Sequence, residues 1–158
     1  MRKTFAKELE KAMELDSRIW LFVGDVGYGV FDDIRKKFPD RFINCGVAEQ
    51  SMIGVAVGLA QSGKIPFVYS ITPFLLYRPY EFIRTLIHHD ETNVKLISSG
   101  RDDDYGDHNY THLNPEDKQI MKTLYNIKSY WPESKKEIYS LLKEMIENKS
   151  PYYLNMKR

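Results

Sequence analysis

The stretch NCGVAEQSMIGVAVGLAQSG, residues 44–63, carries the strongest fold signal in the chain. It contains no charged residue from Met52 to Ala60, and a helix that is apolar on every side is predicted to be buried. Gly54 and Gly58 each cost about 1 kcal/mol relative to alanine inside a helix, so we expect close packing against the side they share. Glu49 stands at the head of this helix, where a buried carboxylate needs a partner.

Two interpretations of Glu49 follow from the residues alone. A carboxylate at a strand-to-helix junction is well placed to act as an acid or a base. Alternatively, Glu49 only caps its own helix, because acidic residues are common in the first helical turn.

Outward from this stretch, short apolar runs alternate with amphipathic segments. The runs predicted to be strands are, in order, RIWLFV, RFINCG, IPFVYSI, VKLISSG, IKSYWP and PYYLNMKR. The segment PFLLYRPYEFIRTLIHHD is predicted to be one long helix that Pro79 kinks or delays. Strands that alternate with helices indicate an α/β fold, with a mostly parallel sheet of about six strands covered on both faces. We expect residues 1–158 to form one domain.

Several unusual segments directly follow predicted strands. They are GDVGYG, GVAEQ, ITPFLLY and GRDDDYGDHNYTH. Ligands of parallel sheets bind outside the carboxyl ends of the strands, so these segments should converge on one site.

Aromatic and histidine residues in these segments are further candidates. Phe74, Tyr77 and Tyr80 are spaced three apart, which places them on one helical face where a flat ligand could stack, although core packing explains the same spacing. His108 and His112 lie four apart in an acidic loop, and a metal site there is conceivable but not favoured.

Composition narrows the function classes. The 23 basic and 22 acidic residues nearly balance, so the net charge does not favour binding to nucleic acid or to an anionic membrane. The single cysteine excludes an internal disulfide. No apolar run approaches the length of a membrane span, and the charged amphipathic start is unlike a signal peptide, so we expect a cytoplasmic protein.

Four motifs in register resemble the pyrimidine-binding domain of the transketolase family of thiamine diphosphate enzymes. The segment FPDRFINCGVAEQSMIGVAVGLAQSGKIPFV resembles the part of transketolase and 1-deoxyxylulose-5-phosphate synthase that contains a G-[VI]-x-E-[QH] motif. TPFLLYRPYEFIR resembles the family's next aromatic helix, YGDHNYTH its G-x-D-G-x-T-H loop and PYYLNMKR its closing strand. The resemblance implies the thiamine diphosphate-binding fold of the pyrimidine type, with three αβα layers.

The resemblance also implies roles for individual residues. Glu49 would hydrogen-bond the aminopyrimidine ring and promote formation of the reactive ylide. Phe74 and Tyr77 would flank the pyrimidine, with Tyr80 behind them. His112 would lie beside the reacting substrate.

Two more residues would contact substrate, with one departure from the family pattern. Asp25, in the loop after the first strand, would face the same edge. His108-Asn109 stands where the family has Asp-Gly before x-T-H, so His108 is where we expect substrate selectivity to differ.

No G-D-G…N motif for magnesium and diphosphate occurs in the chain. We therefore expect a split enzyme that transfers a two-carbon ketol unit between sugars or aldehydes. A separate diphosphate-binding subunit would hold magnesium or calcium, and this chain would form a homodimer within an α2β2 assembly. The alternatives are a β-type subunit of a 2-oxoacid dehydrogenase or decarboxylase, and a non-catalytic regulatory subunit.

Overall fold

A six-stranded sheet forms the centre of the protein. The computed structural model describes residues 1–106 and 110–158. The strands are β1 (Ile19–Val23), β2 (Phe42–Asn44), β3 (Ile65–Ile71), β4 (Lys95–Ser99), β5 (Lys128–Tyr130) and β6 (Tyr152–Met156). Their order in the sheet is β2-β1-β3-β4-β6-β5, and every adjacent pair is parallel. The predicted α/β fold with a parallel sheet is confirmed.

Helices cover both faces of the sheet. They are α1 (Arg2–Leu15), α2 (Asp32–Lys37), α3 (Glu49–Gln61), α4 (Thr72–Leu76), α5 (Tyr80–Phe82), α6 (Asp117–Thr123) and α7 (Lys135–Glu147). Leu21 and Val23 of β1 pack with α1, α2 and α7, whereas Phe22 between them packs with α3 to α6. This alternation follows from the two-residue period of a strand, and it gives the predicted three layers. Among the described residues, no helix is long and apolar enough to cross a bilayer.

The register of the sheet brings several strand ends together. Val23 pairs with Tyr69, and Ile71 pairs with Ser99, which pairs in turn with Met156. The loops that follow β1, β3 and β4 therefore leave the sheet at one edge. Every residue of β3 is buried, as expected for a parallel strand covered on both faces.

Helix α3 differs from the prediction that it is buried on all sides. One side packs inward through Met52, Ile53 and Ala56, but Val55 is 52% exposed and Gly58 is also exposed. Its lack of polar residues therefore does not come from burial within this chain.

The two glycines of α3 have different surroundings. A Cβ on Gly54 would lie 3.5 Å from the ring of Phe82, which is an ordinary van der Waals contact, so the packing there does not require glycine. A Cβ on Gly58 would meet no atom of the described residues within 4 Å.

The long helix predicted after β3 is broken into three pieces. Helix α4 ends at Leu76, α5 begins at Tyr80 after Pro79, and a π-helical segment continues over Ile83–His89. Proline has no N–H to donate and clashes with the preceding turn, which explains the break. The break separates the first aromatic residues of this segment from Tyr80.

Candidate functional site

Glu49 is the buried charge around which the candidate site is arranged. It is the first residue of α3 and is 2% exposed. Its Oε1 accepts a hydrogen bond from Nη1 of Arg78 at 2.8 Å. Gly24, directly after β1, lies against the carboxylate, because a Cβ at that position would be 3.4 Å from Oε1. The partner expected for this carboxylate is therefore Arg78.

Arg78 also contacts the first residue of the aromatic set. Its guanidinium carbon lies 4.0 Å from the centroid of the Phe74 ring, which is a close cation–π contact. One guanidinium thus joins the ring of Phe74 to the carboxylate of Glu49. Sequence reasoning missed Arg78, although the available signal was a charged residue one helical turn after Phe74 in a largely apolar segment.

Tyr77 forms part of the wall of a pocket beside this contact. The pocket has a volume of about 320 Å³, and its lining comprises Pro73, Phe74, Tyr77, Arg78, Tyr110, Thr111, Leu113 and Glu116. The Tyr77 hydroxyl donates to Oδ1 of Asn114 and to Glu116. Burial, followed by the hydrogen bond to Glu116, raises the pKa of Tyr77 above its ordinary value, so the phenol remains a donor. Asn114, which the sequence did not suggest, is fully buried, and its Nδ2 has no hydrogen-bond partner among the described residues.

His112 is a second residue in contact with the ring of Phe74. The two ring centroids are 5.0 Å apart in an edge-to-face arrangement, and the ring of Tyr105 is 5.6 Å from His112. Tyr105 packs over Gly100, whose φ is +87° and where a Cβ would fall 2.2 Å from that ring. Only glycine suits this backbone position, so Gly100 allows Tyr105 to lie where it meets His112.

A buried hydrogen-bond network fixes the start of α4, which carries Phe74. Oγ1 of Thr72 donates to the carbonyl oxygens of Ser99 and Gly100, each at 3.1 Å. Next to it, Oδ2 of Asp117 accepts from Nδ2 of Asn155 at 2.6 Å. Because buried networks with satisfied partners are rigid, the aromatic face is held firmly against the ends of β4 and β6.

Two other predicted residues, Asp25 and Tyr80, have partners outside this group. Asp25 follows Gly24 at the same edge, and hydrogen bonds from Tyr28 and then from Asn44 hold the pKa of its exposed carboxyl below the usual value. Tyr80 packs against the core on the α3 side, and its hydroxyl lies 3.1 Å from Oγ1 of Thr123 on α6.

The structure thus brings together three of the predicted residues, Glu49, Phe74 and His112, through Arg78 and ring contacts, with Tyr77 beside them. His108 lies outside the described residues.

The sequence profile described as "Transketolase, pyrimidine binding domain" matches residues 1–158. The chain belongs to this family. The expected resemblance is thereby confirmed.

Relatives of this chain include proteins that are named as a section or a subunit of a transketolase. The chain is 37% identical over 123 residues to a protein of Methanocaldococcus jannaschii whose name describes a transketolase C-terminal section. The matched residues cover 78% of this chain and 39% of that protein. The chain is 35% identical over 121 residues to a protein of Actinobacillus succinogenes that is named as one subunit of an apulose-4-phosphate transketolase, covering 77% of this chain and 39% of that protein.

One solved structure is titled as a split gene transketolase, an inactive beta4 tetramer. This chain superposes on it with a TM-score of 0.87 at 30% identity, and the match covers 99% of this chain and 51% of that one. The chain therefore spans about half the length, or less, of these relatives.

Family membership implies use of thiamine diphosphate, and the residues present fit its aminopyrimidine end. Glu49 supplies a buried acceptor and Phe74 an aromatic face. Oγ of Ser70, which a Cβ on Gly24 would approach to 3.1 Å, and Nδ2 of Asn114 are buried polar atoms without partners in the part of the chain that the structure describes. Within residues 1–106 and 110–158, no group of three or more His, Cys, Asp or Glu side chains is arranged to hold a metal.

Proposed function

We propose that this chain is the pyrimidine-binding part of a split transketolase-like enzyme, and that residues 1–158 form one such domain. The enzyme transfers a two-carbon ketol unit between sugars or aldehydes. The observation that carries the proposal is the carboxylate of Glu49, buried at the carboxyl edge of the sheet beside the face of Phe74. Glu49 begins the helix that follows β2, and ligands of parallel sheets bind outside the carboxyl ends of the strands, which supports a role for this carboxylate in binding a ligand.

Thiamine diphosphate, when bound, supplies the stabilised carbanion chemistry that two-carbon transfer needs. Glu49 would hold the pyrimidine through its carboxylate and share a proton with a ring nitrogen. Phe74 would supply an aromatic face for the ring. We propose that His112, which contacts the same phenyl ring, hydrogen-bonds the substrate.

The names of two relatives support a sugar substrate. One acts, by its name, on apulose-4-phosphate, and a second, from Clostridium sp., is named as a subunit of a 6-deoxy-6-sulfo-D-fructose transketolase. Both named sugars carry an anionic group. We propose that Asp25, His108 and His112 contact the hydroxyl groups of a related sugar, with His108 contributing to selectivity.

A second, diphosphate-binding subunit with the GDG…N motif is the proposed partner, and it would hold the magnesium or calcium ion. Large apolar side chains are exposed near the candidate site, namely Tyr28 (66% exposed), Val47 (71%) and Tyr110 (81%). Exposed apolar surface next to a ligand site is typical of an interface. The exposed face of α3 around Val55 and Gly58 would contact a second copy of this chain, giving the α2β2 assembly.

Reconstitution tests the proposal directly. We expect the purified chain, mixed with a diphosphate-binding transketolase subunit, thiamine diphosphate and magnesium, to transfer a ketol unit from a ketose phosphate to an aldehyde. The chain alone, under the same conditions, serves as the control and should be inactive. Ketol transfer by the chain alone would contradict the proposal. The proposal would also be contradicted if the two subunits formed a complex and that complex transferred no ketol unit from any donor tested.

A further inference from the structure

The geometry around Glu49 points to a second role for Arg78. We propose that its guanidinium occupies the pyrimidine position in the cofactor-free chain and leaves when the pyrimidine binds, so that Arg78 is a gate at the site. This inference rests on the proposed function, because it assumes that Glu49 and Phe74 bind a pyrimidine.

The guanidinium makes the contacts that a bound aminopyrimidine would need. It is a flat group with N–H donors at its edge, it lies 4.0 Å from the centroid of Phe74, and it donates to Oε1 of Glu49 at 2.8 Å. An aminopyrimidine is also flat, and a ring nitrogen at its edge would meet the carboxylate through the proton that Glu49 shares with it. The face of the phenyl ring that the guanidinium covers cannot hold a second flat group at the same time, so the two compete for that face.

Burial of the two partners shows which one can move. The Glu49 side chain is 1% exposed and is held at the head of α3, whereas the Arg78 side chain is 43% exposed. Arg78 can therefore turn its guanidinium into solvent without disturbing the core. The pair protects a buried carboxylate from being left without a partner in the empty chain, a state that strongly destabilises proteins.

Competition makes a specific prediction about affinity. If Arg78 must leave before the pyrimidine binds, the apparent affinity equals the intrinsic affinity multiplied by the fraction of molecules in which the site is open. Removing the guanidinium should therefore strengthen binding. If Arg78 instead contacted the ligand, its removal would weaken binding, so the sign of the change separates the two roles.

The experiment uses thiamine as the probe, because thiamine has the pyrimidine but no diphosphate for a partner subunit to hold. Thiamine binding to the full chain is titrated by NMR for wild type, Arg78→Met and Glu49→Gln. Arg84→Met is the matched control, because Arg84 lies on the exposed side of the following π-helical segment. We expect Arg78→Met to bind thiamine at least about fivefold more tightly than wild type, a change typical of coupled equilibria. Arg84→Met should match wild type, and Glu49→Gln should lose binding.

Thermal denaturation supplies a second readout that needs no ligand. Arg78→Met should lower Tm when Glu49 is present and have little effect in the Glu49→Gln background. Arg78→Lys keeps the charge without the flat guanidinium, so it should fold stably and give a smaller gain in thiamine affinity. Additive Tm shifts would overturn the pairing.

The outcomes separate the gate from the proposed function. Binding that depends on Glu49 but is unchanged or weaker in Arg78→Met would overturn the gate and leave the proposed function standing. Absence of Glu49-dependent thiamine binding in every variant would overturn the gate, and ketol transfer by the reconstituted pair would then decide the proposed function separately.

Discussion

Oε1 of Glu49 and Nη1 of Arg78 lie 2.8 Å apart although 29 residues separate them in the chain. The carboxylate is at the head of α3, and the guanidinium lies in the short turn between α4 and α5. A parallel sheet brings these two points together because both follow strands at the same edge. The contact thus joins the buried acid to the aromatic face of Phe74, and it places the proposed pyrimidine site between them.

Replacing Glu49 with glutamine should remove ketol transfer while the fold remains intact. A neutral amide cannot share a proton with the pyrimidine in the same way, so we expect turnover to fall by about 10²–10⁴-fold or more. The measurement is ketol transfer by the chain reconstituted with its diphosphate-binding subunit. Glu81→Gln, on the exposed side of α5, is the matched control and should retain activity. Turnover near the wild-type value in Glu49→Gln would show that the acid has another role.

Replacing His112 with alanine should reduce turnover more than it reduces cofactor affinity. His112 contacts Phe74 from the side of the Tyr105 loop, and we place it beside the substrate rather than beside the pyrimidine. Titration of thiamine diphosphate into the reconstituted variant, together with kcat at saturation, separates the two effects. His89→Ala, in which an 84% exposed side chain is removed, is the control. A large loss of cofactor affinity with unchanged kcat would place His112 at the cofactor instead.

Replacing Val55 with glutamate should weaken self-association of the chain. Val55 is 52% exposed on α3, and a charge buried between two copies of this helix would be costly to desolvate. Sedimentation velocity over a range of concentrations gives the oligomeric state directly. Ser140→Glu introduces the same charge on the exposed side of α7 and should leave association unchanged. If Val55→Glu and wild type associate equally, the contact between copies lies elsewhere.

Lys95 should make the stability of the protein depend on pH. It is fully buried at the start of β4, and its Nζ donates to the carbonyl oxygens of Asn148 and Ser150. Burial, followed by the nearby charge of Lys128, lowers the pKa of Lys95 to about 7. Above that pH the unfolded chain holds a proton that the folded protein has released, so the free energy of unfolding rises with pH.

The increase should be at most about 1.4 kcal/mol per pH unit between about pH 7 and 9. Urea unfolding at several pH values in this window measures the slope for wild type and Lys95→Met. The slope should be smaller in Lys95→Met, whereas Lys143→Met, which removes a 75% exposed lysine side chain, should keep it. Equal slopes in wild type and Lys95→Met would mean that Lys95 stays charged in the folded protein.

Features set by local pattern could be predicted from the sequence. The six strands and their parallel arrangement follow from short apolar runs that alternate with helical periodicity, because the period of a side-chain pattern is a property of neighbouring residues. The convergence of the GVAEQ, ITPFLLY and T-H segments followed from the rule that parallel strands place their carboxyl ends at one edge. Glu49 was a candidate from its place at the head of α3, and the roles predicted for Phe74 and His112 came from the resemblance to the pyrimidine-binding domain.

Features that depend on residues far apart in the chain were decided by tertiary structure alone. The absence of polar residues from α3 predicted burial on all sides, yet burial depends on what packs nearby, and Val55 and Gly58 are exposed. The π-helical segment after Pro79 and the burial of Asn114 likewise had no sequence signal that we could read. The pairing of Arg78 with Glu49 is decided in the same way, because only the folded sheet brings the turn after α4 to the head of α3.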